Sequence, residues 1–341
     1  MESRWHVSCR IAAAQCWRNP LEISKKVGRY EVVGPLGRGG MGSVFKAWDP
    51  IFERHVALKT IAAEFFDDPE FRKRFRIEAK AAAQLKHPNI VEIHDWIEEG
   101  ERVFQVLELL EGKTLQERID ADRKAREGEP GGVLMPLEEK LRLVLGILSG
   151  LHRAHQSGII HRDIKPDNVF VTGGGEAKIL DFGLARIGGG TSITTGVLGT
   201  PGYMSPEQFA FEEIDHRTDV WSCGVLLYQL LSNRLPFPGR EFNSIAKKVL
   251  HSDPERFEAS TRRTPGSLAT ILSRALSKDR NARYPSALEM SSDLLLALES
   301  LRHGSEGDDV QAAAASSALW RTVDENRALL ESPLLDGMLA I

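Results

Sequence analysis

The chain has 341 residues, 42% hydrophobic and 27% charged, which is enough apolar material for one large core or two smaller ones and gives no sign of disorder throughout. Its formal net charge of −4 gives no reason to expect nucleic acid or an anionic membrane as the main partner. The three cysteines, Cys9, Cys16 and Cys223, are too few and too scattered for a disulfide framework. Cys9 and Cys16 also lack the second pair a zinc site would need, so a reducing cytoplasm is the simplest home.

Residues 1–28 read as an unstructured leader, because the apolar run Ile11 to Ala14 is far too short for a signal-peptide core. A short targeting arm is the alternative. From Arg29 the texture becomes strand-like, with Tyr30, Val32 and Val33, then Val44, Phe45 and Trp48, then Val56, Leu58 and Ile61. Between the first two of these strands lies G-R-G-G-M-G, whose Gly37, Gly39 and Gly42 would let backbone approach phosphate oxygens that any side chain would push away. Such turns are common in ordinary hairpins. This one joins strand to strand rather than strand to helix, which counts against a dinucleotide-binding fold.

Lys59 ends an apolar strand in V-A-L-K and needs a reason to point inward. The helical stretch Pro69 to Leu85 follows and carries Glu78, either a counter-ion for Lys59 or one exposed acid among many. H-P-N-I-V at His87 to Val91 turns the chain into strands over Val91 to Ile97 and Val103 to Leu107. After Thr114 and Leu115, the charged and glycine-rich run Asp120 to Gly132 breaks the periodic pattern, and reads as a short helix followed by a solvated loop. Leu137 to Gln156 has apolar residues at helical spacing (Leu141, Val144, Leu145, Leu148, Leu151), which predicts a long buried helix leading to His161.

The stretch His161 to Asn168, H-R-D-I-K-P-D-N, sets a carboxylate, an ammonium and an amide within a few residues of one another. Aspartate and asparagine after a helix are also common turn formers. D-F-G follows at Asp181 to Gly183, then a glycine-rich segment Ile187 to Val197, then G-T-P-G-Y-M-S-P-E at Gly199 to Glu207. D-V-W-S-C-G at Asp219 to Gly224 opens a hydrophobic helix running through Leu231, and S-R-A-L-S-K-D-R-N-A-R ends at Arg283. Beyond Arg302, H-G-S-E-G-D-D reads as a linker. Val310 to Leu330 reads as an alanine-rich helix that docks, seeks a partner, or stands alone in solvent. No run approaches the length of about 18 apolar residues that a membrane span requires.

In this order and at these separations, the motifs resemble the protein kinase family, and most nearly its bacterial Ser/Thr branch of eukaryotic type, from about Arg29 to about Leu301. The resemblance implies an α+β, two-lobed fold. A small antiparallel-sheet lobe with one regulatory helix would span residues 29–108, a larger mainly helical lobe 109–302, and a linker with a C-terminal helix 303–341. It also implies ATP and Mg2+ as cofactors and proteins with Ser/Thr hydroxyls as substrates.

By matching positions, Asp163 would orient the hydroxyl, Lys165 would meet the transferring phosphoryl group, and Asn168 and Asp181 would hold magnesium. Lys59, fixed by Glu78, would reach the α- and β-phosphates. Glu108 and Leu110 would offer backbone to the adenine edge, while Leu36, Val44, Ala57 and Phe170 would sandwich the base. Asp219 would accept hydrogen bonds from the catalytic-loop backbone, and Arg283 would pair with Glu207. Ser205 stands where alanine is usual in the eukaryotic family, a small swap. Arg74, Arg162 and Arg186 would form a pocket for a phosphate on Thr194 or Thr195, giving activation by autophosphorylation. Gln229 stands where basic-directed kinases carry a glutamate, so no arginine preference is expected. A pseudokinase scaffold and a small-molecule phosphotransferase are the rival functions. The first is disfavoured by the complete motif set, the second by the complete activation segment with its Arg283 partner.

Overall fold

The computed structural model describes residues 25–39, 42–61, 80–99, 102–182, 201–255 and 265–303. They fall into two compact units, the first holding the described residues up to Lys86 together with Val91–Glu111, the second His87–Ile90 and the residues from Gly112 onward.

The first unit is an antiparallel sheet of β1 (Lys26–Val27), β2 (Tyr30–Gly39), β3 (Gly42–Asp49), β4 (Arg54–Ile61), β5 (Ile93–Glu99) and β6 (Arg102–Glu108), in the order β1-β2-β3-β4-β6-β5. Alternation along the strands puts Val27, Tyr30, Ala47, Val56, Leu58, Phe104 and Val106 on one buried face. Fully burying aliphatic side chains of this size stabilises by about 1.5–3 kcal/mol each. Gly37 and Gly39 belong to β2 itself, paired with Val44 and Gly42 of β3. Gly42 is required by packing: at φ 149° a Cβ there would lie 1.9 Å from the Thr60 carbonyl oxygen of β4. The expected phosphate approach is therefore not needed to explain this glycine.

The second unit contains a small sheet of β7 (Gly112–Thr114), β8 (Val169–Thr172) and β9 (Ala177–Ile179), in that order. Its helices are α1 (Leu115–Glu127), α2 (Leu137–Gln156), α3 (Pro206–Phe209), α4 (Arg217–Ser232), α5 (Phe242–His251), α6 (Ser267–Ala275) and α7 (Ala287–His303). The span of α2 is the expected one, and Leu141, Val144, Leu148 and Leu151 are all buried. α4 is buried on nearly every side, which explains why its sequence is apolar without a stripe. Trp221 of α4 stacks on Phe237 with centroids 5.6 Å apart, at the centre of a cluster with Tyr203, Phe209, Val225, Ile245, Val249 and Leu276. Truncating Trp221 to alanine would cost about 3–5 kcal/mol.

The charged run after Leu115 departs from expectation. The helix continues to Glu127, held at its start by a Thr114/Glu117 capping box and ended by Gly128 in the left-handed conformation (φ 73°). Asp122, inside that run, is fully buried: it accepts from the Met135 amide (2.7 Å), Lys140 Nζ (2.9 Å), Arg126 Nε (2.9 Å) and Asn233 Nδ2 (3.1 Å). Burial alone would raise its pKa; these donors and the Lys140 charge outweigh that and bring it down to about 2.

Candidate active site

α2 ends at Gln156, and the loop from His161 to Lys165 leads into a single 3-10 turn at Pro166–Asn168 before β8. Asp163 is the centre of this loop. Its Oδ2 accepts from Lys165 Nζ and from Asn168 Nδ2, each at 2.8 Å, and its backbone carbonyl accepts a second bond from Asn168 Nδ2, also at 2.8 Å. Three of the expected site residues are thus drawn together by their own side chains. Charge-assisted bonds of this kind fix a carboxylate's orientation more firmly than neutral ones.

The loop is tied down from behind. Asp219, near the start of α4 and wholly buried, accepts the backbone amides of His161 (2.9 Å) and Arg162 (2.7 Å), as expected, and a bond from His155 Nε2 (2.8 Å) of α2. Burial would raise its pKa, but the His155 bond, the neighbouring imidazoles and the Arg162 amide hold it below the ordinary carboxylate value. These bonds hold Arg162 at φ 67°, a conformation that few non-glycine residues adopt. His161 faces the next segment. Its Nδ1 accepts from the Asp163 amide (3.3 Å), so its proton sits on Nε2 and is donated to the Leu180 carbonyl (2.8 Å).

Leu180 in turn donates its amide to the Asn168 carbonyl (2.8 Å), and Asp181 follows at φ 61°, with the Phe182 ring edge-on to His161 at 4.8 Å. β8 and β9 pair as Val169↔Ile179, so the segments bearing Asn168 and Asp181 leave one hairpin side by side. The Asn168 amide nitrogen is committed to Asp163, so its side-chain oxygen is the atom that could serve as a ligand. An amide oxygen and a carboxylate such as that of Asp181 are the oxygen donors a hard cation such as magnesium takes.

A second brace reaches the loop from α3. Gln208 Nε2 donates to the Arg162 carbonyl (2.9 Å), while its Oε1 accepts from the Ser205 amide (2.8 Å). Sequence reasoning missed Gln208, although S-P-E-Q matches a capping box, the signal that could have found it. Ser205 is fully buried, and its hydroxyl meets that of Thr218, the residue before Asp219. Glu207 and Arg283 form the expected pair, Nη1 to Oε1 and Nη2 to Oε2, both at 2.7 Å and buried. Burial raises the Glu207 pKa, but the guanidinium overcomes this and holds it below normal. Gln229 accepts a bond from the Tyr203 hydroxyl.

In the first unit, Lys59 of β4 is buried, opposite Val44 of β3 and Gln105 of β6. Ala57 is buried against Lys46 and Leu107, Val44 is half-buried and Leu36 is exposed. Glu108 ends β6 with its amide on the Glu92 carbonyl (3.0 Å), and Leu110 follows the strand, half-buried. Phe170 lies on β8 opposite Thr114 and Lys178. Glu78, Arg74, Arg186, Thr194, Thr195 and the expected C-terminal helix at Val310 to Leu330 lie outside the described residues.

Comparison with known proteins agrees with this arrangement. A family model described as protein kinase domain matches residues 30–295. A probable serine/threonine-protein kinase of Streptomyces coelicolor is 39% identical over 300 residues, which is 86% of this chain and 42% of that protein. The serine/threonine-protein kinase PrkC of Bacillus subtilis is 38% identical over 82% of this chain and 42% of its own length. PknL of Mycobacterium bovis, also named a serine/threonine-protein kinase, is 37% identical over 83% of this chain and 69% of its own. The chain therefore spans about two fifths of the length of the first two of these relatives.

Proposed function

The chain belongs to the protein kinase domain family, and on that premise we propose that it is an ATP-dependent Ser/Thr protein kinase, transferring the γ-phosphoryl group to protein hydroxyls. The observation that carries this is the state of Asp163. Both described bonds to its carboxylate fall on Oδ2, so that Oδ1 is the oxygen to take up a substrate hydroxyl. As the hydroxyl oxygen bonds to the γ-phosphorus and the bond to the bridging oxygen of the departing ADP breaks, the hydroxyl proton passes to Asp163. Lys165, already beside that carboxylate, steadies the transferring group. Positioning and charge neutralisation lower the barrier, because phosphoryl transfer asks little covalent chemistry of the protein.

Asn168 and Asp181 would hold magnesium, which supplies neutralisation of phosphate charge when bound. Lys59 with Glu78 is assigned to the phosphates. Gly37, Gly39, Gly42, Leu36, Val44, Ala57, Glu108, Leu110 and Phe170 are assigned to the nucleotide. The first unit corresponds to the smaller lobe of the family and the second to the larger. The buried Glu207–Arg283 pair, which fixes the end of the activation segment, supports a protein rather than a small-molecule acceptor.

Activation by autophosphorylation of Thr194 or Thr195, read by Arg74, Arg162 and Arg186, belongs to the same proposal, as does a cytoplasmic site of action. Among the described residues no helix is long and apolar enough to cross a membrane. The test is phosphorylation of a generic basic protein with magnesium and ATP. Lys59→Met, Asp163→Asn and Asp181→Asn should each lose activity by about 10²-fold or more while remaining folded. Full activity in these variants would refute the assignment. Mass spectrometry of active protein, with the Thr194→Ala, Thr195→Ala double variant, tests the switch separately.

A further inference from the structure

Supporting Asp219 uses only one of the two ring nitrogens of His155. The Nε2 hydrogen goes to Asp219 Oδ2 (2.8 Å), and since that carboxylate is held in its charged form the imidazole is the donor, which leaves the lone pair on Nδ1. Nδ1 is buried and has no hydrogen-bond partner among the described residues, in a side chain only 8% exposed. Leaving such an acceptor unmet costs about 1–3 kcal/mol.

A second imidazole stands against it. His216, the residue before α4, bonds the Pro285 carbonyl through Nε2 (2.7 Å), and because a carbonyl only accepts, its lone pair is also on Nδ1. The two ring centroids are 5.4 Å apart, with the planes tilted by 52°. Two imidazoles that share one tetrahedral ion through nitrogens at about 2.0–2.1 Å hold their centroids about 5 Å apart. Each histidine also gives its N–H to a carboxylate or carbonyl oxygen, the bond that fixes the tautomer of metal-binding histidines and raises the basicity of the other nitrogen.

We propose that His155 and His216 bind a divalent transition-metal ion, with zinc the best fit, through their Nδ1 atoms. Imidazole nitrogen suits zinc and copper, whereas magnesium takes oxygen, so the site differs in chemistry from the oxygen donors of Asn168 and Asp181. Asp215, next in sequence to His216, has both carboxylate oxygens on Arg217 and supplies no ligand. Among the described residues no three His, Cys, Asp or Glu groups are placed to hold a metal, so water completes the coordination and binding is weaker than at a four-ligand structural site. Asp219 Oδ2 serves both His155 and the His161 amide (2.9 Å). A cation on Nδ1 makes the Nε2 hydrogen more acidic and draws Oδ2 towards it, at the expense of the amide that anchors the catalytic loop. Zinc should therefore slow phosphorylation, a consequence that rests on the kinase reading above.

The test is zinc uptake by the full chain without nucleotide, measured by competition with a chromophoric chelator. The natural chain should bind one equivalent at least about tenfold more tightly than His216→Gln, whose amide keeps a donor for the Pro285 carbonyl but offers no imidazole. His155→Gln should lose the same equivalent. Zinc should raise the thermal midpoint of the natural chain and not that of His216→Gln, whose midpoint without zinc reports that it is folded. Copper(II) in place of zinc should show electron paramagnetic coupling to two imidazole nitrogens, lost in His216→Gln. With zinc buffered low and magnesium and ATP in excess, phosphorylation should fall several-fold in the natural chain and hold steady in His216→Gln. The proposal is overturned if both variants take up zinc as tightly as the natural chain, or if zinc slows the natural chain and His216→Gln alike. Absence of phosphorylation without zinc would instead sink the kinase reading, and uptake alone would then decide the metal site.

Discussion

Asp219 and Asp122 are both sealed from water in the second unit, yet they direct their hydrogen-bonding capacity differently. Asp219 accepts two backbone amides of the loop that carries Asp163, plus a histidine; Asp122 accepts one amide and otherwise side chains, two of them cationic, from α1 and α2 and from Asn233, just past α4. A side chain can be exchanged together with its carboxylate, whereas backbone amides remain whatever is done to the partner. A carboxylate holding amides is therefore hard to replace, while one holding a lysine belongs to a unit that can be swapped whole.

The largest expected effect follows from this. Asp219→Ala should cost about 3–5 kcal/mol in urea unfolding, because two buried amides and His155 lose their acceptor. It should also reduce phosphorylation per folded molecule, since Arg162 at φ 67° is no longer held. Asp122→Ala should cost about 3 kcal/mol by stranding the buried Lys140 ammonium, with activity per folded molecule unchanged. The Asp122→Leu, Lys140→Met double variant should recover most of that loss. Failure to recover would mean that Asp122 is valued for the Met135 amide and Asn233, which would make it resemble Asp219.

The same pair shows what could be read from the sequence. H-R-D-I-K-P-D-N, S-P-E and D-V-W-S-C-G led to contacts the structure shows, Asp163 with Lys165 and Asn168, Glu207 with Arg283, and Asp219 with the loop amides, because each motif is local and their order resembles a known family. Asp122 could not be read that way. It sits in A-D-R-K-A-R-E, where every neighbour suggests solvent, and its burial depends on Met135 and Lys140, 13 and 18 residues later. The helix end was more accessible, since Thr114 and Glu117 make a capping box and Gly128 a stop. Gln208 and Ser205 lay between these cases, with a visible local signal whose long-range partner was not.

Acid sharpens the comparison. The Asp122 pKa lies at about 2 against an ordinary 3.8, so its contribution is complete above the unfolded value and is lost as pH falls towards 2. By linkage this amounts to about 2 kcal/mol. Asp219 and Glu207 are also depressed and act in the same direction. Between pH 5 and pH 2, Asp122→Asn should therefore lose about 2 kcal/mol less stability than the natural chain, measured by urea midpoints. Equal acid slopes would show that the Met135 amide, Lys140 and Asn233 do not hold the carboxylate in its charged form.

The smallest effect concerns Ser205, which lies between the two regimes because it supports the catalytic loop only through Gln208. Its hydroxyl meets Thr218 and Gln208 Oε1 (3.2 Å), but its backbone amide, which alanine retains, already gives Gln208 Oε1 a bond at 2.8 Å. Ser205→Ala should thus lose about 1 kcal/mol, the usual scale for a helix-start hydroxyl, and leave Thr218 without that partner. Gln208 keeps its orientation and its bond to the Arg162 carbonyl, so activity per folded molecule should stay near that of the natural chain. Gln208→Ala removes that bond outright and should lower activity more than stability. If Ser205→Ala instead slows phosphorylation as much as Gln208→Ala at matched folded concentration, the hydroxyl rather than the amide orients Gln208, and Ser205 joins Asp219 as a support of the loop.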